Sequence, residues 1–203
     1  MTSTRTKPAI FTVGHSTLEI AVFMSLLKQH RIEAVADVRS SPYSQHNPQF
    51  NRETLQASLR TADIQYVFLG DELGARRSES DCYVNGQAEY ERIANTPAFK
   101  SGLQRLADGA TRMRVALVCA EKDPLECHRA ILVCRHLKTI IPSISHILSD
   151  GSLETHEQLE DRLLQQFKLA GDDLFRGRDE MLNAAYERQG KRIAYTEETV
   201  LQP

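Results

Sequence analysis

Residues 114–119 read RVALVC, and residues 120–137, which follow directly, read AEKDPLECHRAILVCRHL. The first stretch is a short, continuous apolar run, which is typical of a strand buried on both faces in a parallel sheet. In the second, Asp123 fits the N-cap position, Pro124 the first helical position and Glu126 the third, so we expect a helix to begin here. The predicted buried face of this helix carries Ala130, Cys134, Leu137 and Ile141.

Short apolar runs alternate with amphipathic stretches along the rest of the chain. The predicted strands are residues 10–13, 34–38, 65–69, 114–119 and 144–148. Ser16, followed three residues later by Glu19, has the form of a capping box and predicts the start of the first helix. Further helices are predicted over residues 51–61, 90–95, 97–107, 153–167 and 180–188, and a long loop over residues 75–86.

This alternation predicts an α/β fold, a single domain with about five strands in a mostly parallel sheet and helices on both faces. We assign residues 1–170 to the α/β core and residues 171–203 to a helical extension, which packs on the core or on a partner. The C-terminal helices also offer a surface for forming an oligomer. A length of 203 residues agrees with one domain.

The composition limits the classes of partner. Lys and Arg number 25 against 27 Asp and Glu, whereas a protein that binds nucleic acid without sequence preference normally has a basic excess. Nucleic acid is therefore not indicated as a partner, although a local basic groove stays open. No apolar run reaches the roughly 20 residues of a membrane span, and the first ten residues lack the apolar run of a signal peptide. We expect a cytoplasmic protein with no membrane partner and with four reduced cysteines.

The turns that follow the parallel strands are expected at one edge of the sheet, where such sheets bind their ligands. Four of these turns are polar, at residues 14–16, 37–42, 70–74 and 119–129. We therefore expect the functional site at the carboxyl ends of the strands. The glycines of these turns do not form a G-x-G-x-x-G pattern, so we expect no dinucleotide cofactor.

Together these turns resemble the domain of unknown function family numbered 488. The resemblance is carried by TVGHST at residues 12–17, DVRSSP at 37–42, LGDELG at 69–74, and CAEKDP at 119–124 with CHR at 127–129. The tail from residues 174–175 to RIAY at residues 192–195 is also typical of the family. The resemblance covers nearly the whole chain and implies a compact α/β domain with an active site, but it implies no particular reaction.

The densest group of reactive side chains follows the central strand and comprises Cys119, Glu121, Cys127 and His128. A cysteine that ends a strand opposite a helix N-terminus could be a thiolate nucleophile or a metal ligand. We predict a zinc or iron site formed by Cys119, Cys127 and His128, with a further ligand such as His15 or Asp37 from another turn. The alternative is that both cysteines are small buried apolar residues. A cysteine phosphatase is excluded, because none of the four cysteines is followed by arginine at the sixth position.

The neighbouring turns add polar candidates, each with a purely structural alternative. The predicted catalytic residues are His15, Asp37, Glu121 and Cys127, and the predicted substrate-binding residues are Ser16, Arg39, Ser40, Tyr43 and Arg129. A helix N-terminus would lower the pKa of His15 and leave it a base or a metal ligand, unless it only hydrogen-bonds the backbone. Asp37 and Arg39 point the same way along their strand, either to a substrate or as an ion pair that closes the strand end. Arg129 either binds an anion or pairs with a nearby carboxylate. A lid or a solvated surface is predicted for Asp71, Glu72, Arg76 and Arg77.

Three functions compete at this point. The first is an enzyme that acts on a small phosphorylated or nucleotide-like substrate, or on nucleic acid, with help from a divalent metal. The second is a non-catalytic module that binds a ligand or a partner. The third is a redox protein in which Cys119 and Cys127 form a reversible disulfide.

Overall fold

The computed structural model describes residues 8–170 and 176–197 of the chain. Its strands are Ala9–Gly14 (β1), Ala34–Asp37 (β2), Gln65–Phe68 (β3), Tyr83–Val84 (β4), Gln87–Ala88 (β5), Val115–Cys119 (β6), Ser143–Ile147 (β7) and Leu153–Thr155 (β8). Six of them form one sheet in the order β3-β2-β6-β1-β7-β8, and β4 pairs with β5 in a separate hairpin. The first five strands of that order are parallel, and β8 is antiparallel to β7. The predicted α/β fold with a mostly parallel sheet is thereby confirmed.

Helices connect these strands on both sides of the sheet. They are Ile20–Gln29 (α1), Arg52–Arg60 (α2), Gly70–Leu73 (α3), Tyr90–Asn95 (α4), Pro97–Ala110 (α5), Arg135–Leu137 (α6), His156–Gln166 (α7) and Arg178–Ile193 (α8). Short 3-10 turns lie at Pro48–Phe50, Ser80–Cys82 and Pro124–Glu126, and a π-helix at Arg129–Cys134. Within the described ranges, no helix combines the length and apolar character that crossing a membrane requires.

Alternate residues of the strands point to two apolar layers, one on each face of the sheet. On one face, β1 contributes Phe11 and Val13 to a cluster with Phe23 of α1 and Leu55 of α2. On the opposite face, strand residues pack against α5, the π-helix, α7 and α8. Helices on both faces are therefore confirmed.

Helix α8 joins the larger apolar layer through its buried residues Met181, Leu182, Ala185 and Tyr186. The predicted division between a core up to residue 170 and an extension from residue 171 stays a prediction. Residues 171–175 and 198–203, which belong to the predicted extension, lie outside the described residues.

Three strands were missed in the sequence: β4 and β5, of which β4 lies in the segment predicted as a long loop, and β8, where residues 153–155 were predicted as helix. Gly151 has a φ of +85°, and around it Leu148 donates from its amide to the Ser152 carbonyl at 2.9 Å. The chain therefore reverses and β8 pairs with β7 along the sheet edge. Helix α7 begins only after this strand, with a capping box between Thr155 and Gln158.

The predicted capping box at Ser16 is wrong, because α1 begins four residues later, at Ile20. Ser16 has a φ of +46°, which is left-handed rather than the extended backbone of an N-cap residue. Its amide donates to the Ala120 carbonyl at 2.8 Å. The turn after β1 is thus tied to the loop after β6, and the helix starts only when the chain has left this contact.

Candidate functional site

The turn after β1 lies directly against the loop after β6. His15 donates from its amide to the carbonyl of Cys119 at 2.9 Å. A Cβ atom on Gly14 would lie 1.9 Å from the carbonyl oxygen of Glu121, which is far inside van der Waals contact. The two loops approach this closely because residue 14 has no side chain.

The turns after β2 and β3 are packed together in the same way. A Cβ atom on Gly70 would lie 2.1 Å from the Arg39 carbonyl oxygen, and one on Gly74 would lie 2.3 Å from Ser40 Oγ. Ser40 Oγ in turn accepts a hydrogen bond from the amide of Arg76 at 2.9 Å. The glycines of the polar turns therefore allow the loops that follow β1, β2, β3 and β6 to meet at one edge of the sheet.

The connection after β6 is not the continuous helix that the sequence predicts. The predicted N-cap is present, since the Asp123 side chain accepts a hydrogen bond from the Leu125 amide at 2.9 Å. The turn that it caps ends after Pro124–Glu126, and Cys127 is extended, with φ −136° and ψ +137°. The π-helix Arg129–Cys134 begins two residues later. This break allows two adjacent side chains, Cys127 and His128, to approach the end of β6, which an unbroken helix would prevent.

Four side chains of this connection come together in a compact cluster. The Cys119 and Cys127 thiols both donate to the same oxygen of Glu121, at 3.0 and 2.9 Å. His128 Nδ1 lies 3.6 Å from Cys119 Sγ. One ligand atom from each of Cys119, Glu121, Cys127 and His128 lies within 4.8 Å of all the others. These four residues could hold a metal ion.

The donor atoms of this cluster fit zinc or ferrous iron. A tetrahedral zinc site with sulfur, nitrogen and oxygen ligands places its ligand atoms about 3.3–3.8 Å apart, close to the spacing seen between Cys119 and His128. His128 Nε2 lies 2.9 Å from the carbonyl oxygen of Val38, which accepts its proton and leaves Nδ1 as the lone-pair nitrogen facing the thiols. Histidine ligands of metals are commonly oriented by such a bond to their other nitrogen. The further ligand expected from His15 or Asp37 is not part of the cluster, because those two side chains bond elsewhere.

Burial and mutual contact shift the ionisation of these groups. Burial raises the pKa of the Cys119 thiol. It acts in the same direction on Cys127, but the interaction with Cys119 and the positive charge of Arg129 lower the pKa of Cys127 below its usual value. Burial disfavours the charged form of His128, yet contact with Cys127 raises the His128 pKa.

Arg129 supports the cluster from inside the protein. Its side chain is fully buried, and its two terminal nitrogens donate to the carbonyls of Glu121 at 2.7 Å and Lys122 at 3.1 Å. Its Nε lies 3.4 Å from Thr12 Oγ1. The guanidinium thus holds the backbone that carries Glu121, and its hydrogen bonds go to two carbonyls and a hydroxyl rather than to the carboxylates considered from the sequence.

Asp37 and Arg39 form a buried ion pair at the end of β2. Arg39 donates from Nε and Nη2 to the two Asp37 oxygens, at 2.9 and 2.6 Å, and Tyr66 donates its hydroxyl to Asp37 at 2.8 Å. Arg39 Nη2 also reaches the Phe50 carbonyl at 2.9 Å. The Asp37 carboxylate is completely buried and is hydrogen-bonded to Arg39 and Tyr66, as in the structural alternative of an ion pair that closes the strand end.

Both ring nitrogens of His15 lie within hydrogen-bonding distance of a neighbouring group. Its Nδ1 lies 2.8 Å from the Ser16 carbonyl, and its Nε2 lies 3.2 Å from Arg39 Nη1. The carbonyl and the arginine together fix the neutral tautomer with the proton on Nδ1. Burial lowers the pKa of His15 to about 4. The lowered pKa expected from the sequence is present, but its main cause is burial and not a helix end.

A pocket of about 350 Å³ opens beside the cluster. Six of the residues singled out from the sequence line it, namely Arg39, Ser40, Tyr43, Cys119, Glu121 and His128. The others do not line the pocket: His15, Asp37, Cys127 and Arg129 are buried, and Ser16 is half-buried. The pocket is therefore lined both by possible metal ligands and by arginine, serine and tyrosine side chains.

The pocket is also lined by residues that were not predicted as catalytic, substrate-binding or metal-binding, among them Arg76, Tyr90, Glu126 and Tyr195. Arg76 stands in the segment predicted as a lid or a solvated surface, and Tyr195 ends the RIAY motif of the tail. Tyr90 begins α4, far from the polar turns in sequence. No spacing pattern joins these residues to the cysteines, although the tail motif was a signal for Tyr195.

Residues 19–135 match the family described as Domain of unknown function DUF488. The chain belongs to this family. The match spans more than half of this DUF488 member and includes the turns after β2, β3 and β6, whereas the turn after β1 precedes it. None of the curated proteins and none of the solved structures matches the chain.

Proposed function

We propose that this DUF488 protein is an enzyme that uses a zinc or ferrous ion bound by Cys119, Glu121, Cys127 and His128. The observation that carries the proposal is the convergence of these four ligand atoms within 4.8 Å at the wall of a pocket. The proposed substrate is a small phosphorylated or nucleotide-like molecule. The pocket volume of about 350 Å³ falls within the range that holds such ligands.

The ligand types support a transition metal over magnesium or calcium. Magnesium and calcium prefer a shell of oxygen atoms, whereas two thiols and an imidazole select zinc or iron. All four ligands come from one short connection, residues 119–128, so an ion there does not depend on another domain or subunit.

The position of the cluster supports a catalytic rather than a purely structural ion. Glu121 is exposed and lines the pocket together with Cys119 and His128. A structural zinc site is closed by four protein ligands, while a catalytic site keeps one position for water or substrate. We assign that exchangeable position to the Glu121 carboxylate, which faces the pocket, and the three remaining ligands to Cys119, Cys127 and His128.

A bound ion would polarise a substrate oxygen or lower the pKa of a bound water. The chain itself would supply orientation and proton transfer. Glu121 is placed to accept a proton at the pocket face. Ser40 and Tyr43 also line the pocket, and the Tyr43 hydroxyl donates to Glu53 at 2.9 Å. Nucleic acid is the less favoured substrate, because the pocket is small and the chain has 25 basic against 27 acidic residues.

Elemental analysis of the reduced, tag-free protein tests the metal. We expect near-stoichiometric zinc or iron, lost in Cys127→Ser and in His128→Ala. Cys134→Ser is the matched control, because Cys134 is equally buried in the π-helix but is not among the four grouped ligands. Absence of metal from the parent protein after reconstitution would refute the proposal.

A reversible dithiol is a second candidate, favoured by the contact of both thiols with one oxygen of Glu121. In that reaction Cys119 and Cys127 would form a disulfide, and their two protons and two electrons would reduce a peroxide to water. Titration of free thiols in the metal-free protein tests it. Reversible loss of two thiols, prevented by Cys119→Ser, would support this candidate, and an unchanged thiol count under mild peroxide would exclude it.

A module that binds a ligand without turnover would also use the pocket. Its ligand would bind with the same metal and pocket residues, but no product would form. Incubation of the metal-loaded protein with a panel of phosphorylated metabolites, followed by mass spectrometry, separates the two. Product formation that is absent with His128→Ala identifies an enzyme, whereas binding without product identifies the module.

A further inference from the structure

Two of the arginines at this site direct their hydrogen bonds to groups inside the protein. Arg129 is fully buried on carbonyl oxygens. Arg39 is 7% exposed, and its donors are directed to Asp37, His15 and the Phe50 carbonyl. These were the arginines that the sequence singled out for anion binding. Their guanidinium groups are largely committed to holding the loops together.

Arg76 differs from both. It is exposed and lines the pocket, and within residues 8–170 and 176–197 no hydrogen bond or ion pair of its guanidinium is found. Its neighbour Arg77 already pairs with Glu79 at 2.7 Å, and the pocket carboxylate of Glu126 pairs with Arg192. Arg76 therefore retains its N–H donors for a ligand.

The position of the Arg76 guanidinium is nevertheless fixed. Its Cζ lies 4.6 Å from the ring centroid of Tyr195, which is the geometry of a cation–π contact. Tyr195 is held by its carbonyl, which accepts a hydrogen bond from the Ala88 amide of β5 at 2.8 Å. At the other end, the Arg76 amide donates to Ser40 Oγ at 2.9 Å. An arginine held by an aromatic ring keeps its planar N–H edge available for a bidentate bond.

We propose that Arg76 binds the phosphate group of the substrate and that Tyr195 is a positioning residue for it. The ligand class is a small molecule with a terminal phosphate, bound with that phosphate at Arg76 and with its reacting group toward Glu121 and His128. Arginine is suited to this ligand because its fork of donors matches two phosphate oxygens. The inference rests on the proposed function for the reacting group, while the anion contact itself stands without a metal.

Titration with inorganic phosphate tests the anion contact. Calorimetry on the full chain, both as purified and after dialysis against a chelator, separates this contact from the metal. Arg76→Ala is expected to weaken phosphate binding at least about tenfold in both preparations, because a charge-assisted bidentate contact is lost. Arg76→Lys, which keeps the charge but not the fork, is expected to lose part of the affinity.

Two matched variants complete the experiment. Arg112→Ala makes the same change at an exposed arginine at the amino end of β6 and is expected to leave phosphate affinity unchanged. Tyr195→Phe keeps the ring and is expected to bind phosphate as the parent does. Tyr195→Ala removes the ring and is expected to bind severalfold more weakly, with Arg76 still present.

Several outcomes would overturn the inference. They are equal phosphate affinities of Arg76→Ala and Arg112→Ala, no measurable phosphate binding by the parent protein, and Arg76-dependent binding of a short oligonucleotide in place of phosphate. The result is different if only the proposed metal site is wrong. In that case the protein would contain no zinc or iron, while the difference between Arg76→Ala and Arg112→Ala would persist.

Discussion

His156→Gln is expected to reduce the pH dependence of folding, because His156 is held neutral inside the protein. The residue is 4% exposed. Its Nε2 lies 3.1 Å from the Tyr186 hydroxyl, which donates onward to Glu160 at 2.8 Å. Its Nδ1 lies 3.1 Å from Nε2 of His146. His156 thus donates at Nε2 and accepts at Nδ1, and a second proton on Nδ1 would meet the N–H of His146.

The magnitude follows from the pKa. Burial lowers the pKa of His156 from 6.5 to about 4, so the folded protein favours the neutral ring. As the pH falls below the unfolded pKa, the unfolded chain takes up a proton that the folded chain does not, and the free energy of unfolding decreases. The loss amounts to about 2 kcal/mol at about pH 5 and about 3 kcal/mol when the pH has passed below the folded pKa.

Urea denaturation at about pH 7.5 and about pH 5 measures this effect. The change in unfolding free energy between the two pH values is compared for the parent and for His156→Gln, so that the loss of packing in the variant and the titration of His15 cancel. The variant is expected to lose about 2 kcal/mol less than the parent on acidification. His46→Gln, at an exposed histidine, is the control. Equal pH dependence of the parent and His156→Gln would refute the reasoning.

Two further substitutions test how the loops are held. Gly14→Ala would place a Cβ atom 1.9 Å from the Glu121 carbonyl oxygen, so we expect lower stability and lower metal content, measured by thermal denaturation and elemental analysis. Gly109→Ala, where the nearest atom is 3.8 Å away, is the control, and equal metal content in the two variants would contradict this explanation. Asp37→Asn leaves buried Arg39 without its counter-charge and is expected to lower the unfolding free energy by about 3–5 kcal/mol, measured in urea; a loss below about 1 kcal/mol would show that the pair contributes little.

Local sequence pattern was sufficient for the parallel strands but not for β8. A buried parallel strand is a continuous apolar run, as in Val115–Cys119, and such a run is visible without knowledge of its neighbours. The segment Leu153–Thr155 has three residues and pairs only along the sheet edge with β7. Its conformation is set by the reversal at Gly151, and the charged residues that follow made it look like the start of α7.

The sequence predicted which residues come together at the candidate metal site better than it predicted their arrangement. Cys119, Cys127 and His128 are close in sequence, and the structure groups them with Glu121. The sequence has no C-x-x-C or H-x-x-x-H pair to anchor a metal, and for that reason a ligand from another turn, such as His15 or Asp37, was expected. The extended conformation of Cys127 removes this need. Arg76 could not be predicted as an anion-binding residue, because an exposed arginine in a loop belongs to no periodic pattern. Its role also depends on which neighbouring charged groups are already paired, and this is visible only in the structure.

The contacts that hold the loops together indicate whether the function of the protein needs the pocket residues or only a bound ion. The four candidate ligands all come from residues 119–128. A purely structural ion would also use the Val38 carbonyl, which orients His128, but not the side chains of the turns after β2 and β3. Those turns are nevertheless held through a buried ion pair, Asp37 with Arg39, although burying two charges costs more free energy than apolar packing would. They supply the pocket wall that carries Arg39, Ser40 and Arg76. A fold that retains charged groups to position these residues is better explained by a ligand that contacts them together with the ion than by an ion alone. Variants of the four candidate metal ligands should therefore abolish metal binding, Arg76→Ala should weaken phosphate binding, and an enzyme should require both groups of residues.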